Sequence, residues 1–313
     1  MFPGFTDRDF DAYAPQKWKS NVFNRERLEV KQKLLLLGKE LAGSLVAADG
    51  SPLLSEASVE HPALWNHKQV EAQHLFFSRN EGARKELDRI IDRARPMASM
   101  LEDPTPQRNH LFLAVTIGHD HVEFAVKLHP DARIDRQNLE RKLGEHWENM
   151  KLLELIRDLP AGYTVGVTGG TQFPAATIDD SALKAALAEL AKPELPGKTH
   201  LLVVGRAVPR SAVAAEGSGL LETARGELAA LLPIYQFVAW SRDNDFVLMR
   251  EALKQEKQAK RQKGLAKNDK VRIVRGVFAG RTGVIQEIDA KGALRVLVGT
   301  VAVKMGADEV EKS

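Results

Sequence analysis

At 313 residues, 43% hydrophobic and 28% charged, the chain has the length for at least two folded units and the composition of an ordinary globular protein. Its formal net charge of +3 conceals a segregation: Arg250 to Arg281 holds eleven Lys or Arg against three acidic residues, so the remainder is net acidic. The absence of cysteine excludes disulfides, thiolate metal sites and a Cys nucleophile, and no apolar run approaches the roughly 18 residues of a bilayer-spanning helix.

The start, Met1-Phe2-Pro3-Gly4-Phe5-Thr6-Asp7, lacks the charged and apolar regions of a signal peptide, so a cytoplasmic location is expected. The first 110 residues read as mostly helical. Leu28, Leu34, Leu35, Leu37, Leu41 and Leu45 predict a helix over Arg25–Val46, ended by Asp49-Gly50-Ser51-Pro52. A second helical stretch is predicted over His67–Met97 from Val70, His74, Phe77, Leu87, Ile90 and Ile91, interrupted at Asn80-Glu81-Gly82. Pro104 and Pro106 mark a loop.

Leu111–Ile117 and Val122–Leu128 predict a β-hairpin turned by Gly118-His119-Asp120. Asp135 is the predicted N-cap of a helix running to about Leu159. A short strand follows over Tyr163–Val167, then a helix over Leu183–Leu190 capped by Asp180. His200–Gly205 predicts a buried strand. A helix over Leu220–Leu232 is expected to end at Pro233, with Ile234–Trp240 as the last strand. This mixture predicts an α+β layered domain over residues 1–245, without fixing strand order. Asp245–Lys263 predicts a long helix, apolar at Phe246, Val247, Leu248 and Leu253 and Lys/Gln-rich beyond, with Gly264 as its C-cap. Residues 246–266 are therefore read as a basic helix or linker, and residues 267–313 as a separate module.

No catalytic constellation is legible in the first domain. His119, His121 and Glu123 have a spacing that suits metal ligands on a strand, but a hairpin turn accounts for their polarity, and no metal site is assigned. Gly197-Lys198-Thr199 lacks the earlier glycine of a phosphate loop, since Lys192 stands there. Thr168-Gly169-Gly170-Thr171 is a turn that could face an anion, and Gly217-x-Gly219 lacks a third glycine. No Gly-x-Ser-x-Gly occurs. Trp240–Asp245 and Trp65–Gln69, with Gln73 and Arg79, are dense in hydrogen-bonding groups, which helix capping partly explains. No cofactor is expected.

The C-terminal module is more informative. Val271–Val274, Val284–Ile288, Leu294–Val298 and Val301–Met305 predict short strands, with turns at Ala290-Lys291-Gly292 and Gly299-Thr300. Gly276, Gly280 and Gly283 are expected to supply positive φ in the loop after the first strand. That loop carries Arg275, Phe278 and Arg281. An exposed Phe278 between two guanidinium groups would stack a base; folded inward, it would join the core. Lys267, Lys270 and Arg272 add charge suited to phosphates. Lys257, Lys260, Arg261 and Lys263 either extend that basic surface or form a solvated linker face.

Residues 268–310 resemble the KOW module of NusG-type transcription factors and some ribosomal proteins. The resemblance rests on Asp269-x-Val271-x-Ile273, on Gly276-x-x-x-Gly280-x-x-Gly283, and on the closing Ala307-Asp308-Glu309-Val310. It implies an SH3-like barrel in contact with RNA or with a ribosome- or RNA polymerase-associated protein, without deciding between them. The motifs of the domain that precedes the barrel in NusG-type proteins find no match in residues 1–250. The leading expectation is a non-enzymatic RNA-, ribosome- or transcription-complex-binding protein without membrane contact. The alternatives are an enzyme in residues 1–245 localised by the module, or a module that binds protein.

Overall fold

The computed structural model describes residues 1–63, 66–92, 106–192, 200–247, 265–276, 278–288, 293–306 and 309–312. The chain divides into two compact units, Met1–Val247 and Leu248–Ser313.

The first unit is built on a seven-stranded sheet whose neighbouring strands are all antiparallel. Its strands are β1 (Leu54–Ala57), β2 (Gln73–Ser78), β3 (Phe112–Ile117), β4 (His121–Leu128), β5 (Thr164–Val167), β6 (Gln172–Pro174) and β7 (Leu202–Pro209). They lie in the order β1-β2-β3-β4-β7-β5-β6, so β7 inserts between β4 and β5. The helices are α1 (Asp7–Asp11), α2 (Asn24–Leu41), α3 (Glu81–Asp92), α4 (Pro106–Asn109), α5 (Arg133–Leu143), α6 (His146–Arg157), α7 (Asp180–Leu190), α8 (Arg210–Glu216) and α9 (Leu220–Val238).

One sheet face carries the main core. Leu75 and Phe77 of β2, Leu113 and Val115 of β3, and Phe124 and Val126 of β4 pack in one cluster with Leu34, Leu37 and Leu41 of α2 and Leu228 and Leu231 of α9. Each such side chain, fully buried, contributes about 1.5–3 kcal/mol. Phe2, Phe5 and Phe10 anchor the N-terminal segment in the same cluster.

The predicted hairpin forms as β3 and β4, and the mixed helix-and-sheet character holds. Several elements differ from expectation. Residues 73–78, predicted as helix, form β2. Its Leu75 and Phe77 enter the main core while Phe76 packs edge-on to Phe112 at 5.1 Å on the other face. With both faces covered, the two-residue alternation is lost. Asn80 is the start of α3, its Oδ1 accepting from the Ala83 N–H at 3.0 Å. The helix expected from Asp135 to Leu159 is two helices, α5 and α6.

Asp135 does not cap α5. It lies inside the helix at 1% exposure, paired with Arg79 and accepting from the Leu111 and Trp240 N–H groups at 2.8 Å each. Burial pushes its carboxyl up, but Arg79 and these hydrogen bonds outweigh burial and hold its pKa below the ordinary carboxylate value. The cap of α7 is Asp179 rather than Asp180, its Oδ1 accepting from the Ala182 N–H at 2.8 Å. Helix α9 runs through Pro233 to Val238, so Ile234–Trp240 is not a strand. Pro233 stands on the exposed side while Ile234, Tyr235 and Phe237 are buried. Residues 245–247 are not helical. The rest of the predicted helix to Lys263 lies outside the described residues, with Lys257, Lys260, Arg261, Lys263 and Gly264.

The second unit is a five-stranded antiparallel sheet of β8 (Lys270–Ile273), β9 (Thr282–Ile288), β10 (Leu294–Val298), β11 (Val301–Met305) and β12 (Val310–Lys312). The order is β11-β10-β9-β8-β12, so the last strand returns to pair with the first, Val310 opposite Ile273. Alternation is clear on β8 and β10, and Val271, Ile273, Ile285, Leu294, Val296, Val298, Met305 and Val310 form one core. The turn at Ala290-Lys291-Gly292 and the pair Ala307-Asp308 lie outside the described residues.

Candidate nucleic-acid interface

The loop between β8 and β9 is closed at its base by backbone hydrogen bonds. The Ile273 N–H donates to the Arg281 carbonyl at 2.8 Å, and the Gly280 N–H donates to the Ile273 carbonyl at 2.7 Å. Inside the loop, the Ala279 N–H donates to Gly276 O and the Arg281 N–H to Phe278 O, each at 3.1 Å. These bonds need a left-handed backbone at two places. Gly276 and Gly280 supply it, with φ of +87° and +89°.

Gly283 has a different role from the one expected. It has no positive φ, and it sits within β9 opposite Val271. A Cβ there would lie 2.5 Å from Val296 Cγ1 and 2.8 Å from the Leu297 carbonyl oxygen. Its glycine permits close approach of the neighbouring strand β10.

This geometry brings Arg275, Phe278 and Arg281 together on one closed loop. Both arginines are exposed. Phe278 is half-buried and packs against the module core, leaving part of its surface outside. Arg272 points outward from β8, opposite Thr282 of β9 and Glu311 of β12, and Thr282 follows Arg281 directly. Lys267 and Lys270 are exposed on the approach to β8. Among the described residues, none of these five basic side chains is paired with an acid.

The first unit contrasts sharply. There Arg79 pairs with Asp135, Arg84 with Glu56, Arg206 with Glu227, Arg242 with Glu86, and Arg210 with both Asp7 and Asp11. These arginines of the first unit are engaged by acids within it, whereas Arg275 and Arg281 of the loop are exposed.

Sequence reasoning did not single out Arg295, which is exposed on β10 between Glu287 and Lys304 in register. The inward alternation of Leu294, Val296 and Val298 is the signal that places it outward.

The candidate chemistry of the first unit is dispersed. His121 is exposed, His119 Nδ1 lies 3.4 Å from the Phe10 carbonyl, and Glu123 is paired with Lys127. Among the described residues, no three His, Asp or Glu side chains are placed to hold a metal ion. The glycine turn at Thr168-Gly169-Gly170 faces an acid, since a Cβ on Gly170 would meet the Glu189 carboxylate. A groove beside α7 is lined by Phe173, Pro174, Thr177 and Ser181, and its one titratable group, Asp179, is already the helix cap. Trp65 and Gly197-Lys198-Thr199 lie outside the described residues. Among the described residues, no helix is long and apolar enough to cross a membrane.

Comparison with known families matches residues 267–299 to the KOW motif, which spans β8, β9, the loop between them and β10. No other family matches the rest of the chain. No curated protein matches it.

Proposed function

We propose that this chain is a non-enzymatic RNA-binding protein of the ribosome- or transcription-associated kind, and that its contact surface is the β8–β9 loop of the C-terminal module. The observation that carries the reading is the set Arg272, Arg275 and Arg281: exposed, without an acidic partner among the described residues, and grouped around a half-buried aromatic on a closed loop. Lys267 and Lys270 add exposed basic charge beside β8, and Lys260, Arg261 and Lys263 add further cations in the sequence before it. Neutralising phosphates releases counterions and gives salt-dependent affinity. The free surface of Phe278 suits stacking of an unpaired base, with the flanking guanidinium groups held on the adjacent phosphates.

The fold reading is an SH3-like barrel over residues 267–313, tethered by residues 246–266 to an α+β domain over 1–245. The return of β12 to β8 and the single core shared by all five strands support it. A cytoplasmic location accords with an RNA partner.

The test is charge reversal on the full chain, Arg275→Glu with Arg281→Glu, with binding to total cellular RNA as the readout. The expected result is an affinity lower by tenfold or more. Unchanged affinity sinks the reading.

A protein partner is the second reading, favoured by Val274 and Val301, which are 38% and 53% exposed on the same module. Under it, apolar substitution there weakens binding and salt has little effect.

A further inference from the structure

Helix α5 carries polar side chains where a core-facing helix ordinarily carries apolar ones. Asp135, Asn138 and Lys142 are 1%, 0% and 4% exposed, and their spacing puts them along one face. All three are engaged by a single stretch of chain, the end of α9 and residues 239–247. The Trp240 N–H donates to Asp135 Oδ1 at 2.8 Å, and the Phe246 N–H donates to Asn138 Oδ1 at 2.9 Å. Asn138 Nδ2 donates to the Val238 carbonyl at 3.3 Å, and Lys142 Nζ to the Phe237 carbonyl at 2.9 Å. Lys142 Nζ also lies 3.9 Å from the Phe237 ring centre and 5.0 Å from that of Phe246. From the segment itself, Asn244 Nδ2 donates to the carbonyls of Phe237 at 3.0 Å and Ala239 at 2.7 Å.

Residues 239–247 belong to no helix or multi-residue strand; one isolated bridge joins Ser241 and Asn244. Apart from two local backbone bonds, Ala239 N–H to the Tyr235 carbonyl at 2.8 Å and Asn244 N–H to the Ser241 carbonyl at 3.1 Å, the segment is held by side chains rather than by a ladder, and a segment so held can open locally. Two features work against the closed arrangement. Burial lowers the pKa of Lys142, because the site disfavours its charge. The buried Trp240 Nε1 donor has no acceptor among the described residues.

We propose that residues 239–247 are a latch, held shut by the hydrogen bonds of Asp135 and Asn138 of α5 and by the Lys142 cation over the Phe246 ring, that opens as a unit while the sheet and α9 stay folded. Open, its nine residues would add up to about 30 Å of extended chain between Val238 and Leu265. The latch sets how long the tether to the C-terminal module is. It does not depend on what that module binds.

Native-state hydrogen exchange on the full chain, read by mass spectrometry, tests this. In the unsubstituted protein, peptides covering 239–247 are expected to exchange through an opening that barely changes with low denaturant, well before β3 and β4. Asn138→Ala and Lys142→Met should each speed that exchange at least tenfold and leave β3 and β4 protected. The proposal is overturned if the segment exchanges with the same denaturant dependence as β3 and β4, or if both substitutions leave its rate unchanged. Loss of protection through the whole unit in a variant, with wild-type exchange already global, would also overturn it.

Discussion

Phe278 is the residue whose two possible duties separate most cleanly by substitution. It packs on the module core and also keeps an exposed surface beside Arg275 and Arg281. Phe278→Leu retains apolar volume and removes the ring. If the ring stacks a base, RNA affinity falls by about 1–3 kcal/mol, while amide exchange in β8–β10 stays as in the parent. A purely structural ring gives the reverse: slight destabilisation and unaltered affinity. Gly283 makes a sharper steric case. The Cβ of Gly283→Ala would overlap Val296 Cγ1 and the Leu297 carbonyl at 2.5 and 2.8 Å. The second obstacle is backbone, so relaxation requires β9 and β10 to separate. The expected cost is about 1–3 kcal/mol, read as faster exchange of β9 and β10 amides. Unchanged exchange would mean that the close approach is not needed.

At the scale of elements, β2, β3 and β4 carry a polar row in register, His74 opposite Thr116 and Thr116 opposite Glu123. His74 Nδ1 lies 2.9 Å from Thr116 Oγ1, which also accepts from Lys127 Nζ at 3.1 Å. Burial, and then the Lys127 cation, pushes the His74 pKa down from 6.5 to about 3. A depressed histidine leaves the unfolded chain binding the extra proton between those values. Its contribution to stability is therefore complete above about pH 6.5 and declines as pH falls toward 3. His74→Gln should show a weaker loss of thermal stability between those limits than the parent. An identical pH profile would place the acid sensitivity elsewhere.

The same elements show what was legible in sequence and what was not. The β3–β4 hairpin was, because Gly118-His119-Asp120 supplies a local turn signal between two apolar runs. Strand β2 was not: Val70, His74 and Phe77 fall by chance at helical spacing, and burial of both faces erases the alternation of a strand. Pro233 misled in the other direction. It lacks an N–H, but it stands on the exposed side of α9 and the helix runs through it, and the β-prone Ile234 and Phe237 that follow are helix residues turned inward. The insertion of β7 between β4 and β5 is a long-range pairing that no local pattern records. In the candidate site, Arg272, Arg275, Arg281 and the turning glycines were legible because charge and backbone freedom are local properties. The half-inward pose of Phe278 and the packing role of Gly283 depend on strands distant in sequence.

For the whole molecule, the governing fact is the separation of committed from uncommitted charge. In the net acidic body Arg79, Arg84, Arg206, Arg210 and Arg242 pair with acids, while, among the described residues, Arg272, Arg275 and Arg281 are exposed and have no acidic partner. Such an arrangement favours a polyanion, and it specifies charge rather than sequence. The most direct measurement is the slope of log affinity against log salt for RNA binding by the full chain, compared with Arg275→Glu/Arg281→Glu. Loss of two single-strand phosphate contacts should flatten that slope by about 1.4 as affinity falls. An unchanged slope, or binding by the parent that ignores salt, would contradict an RNA contact at this loop.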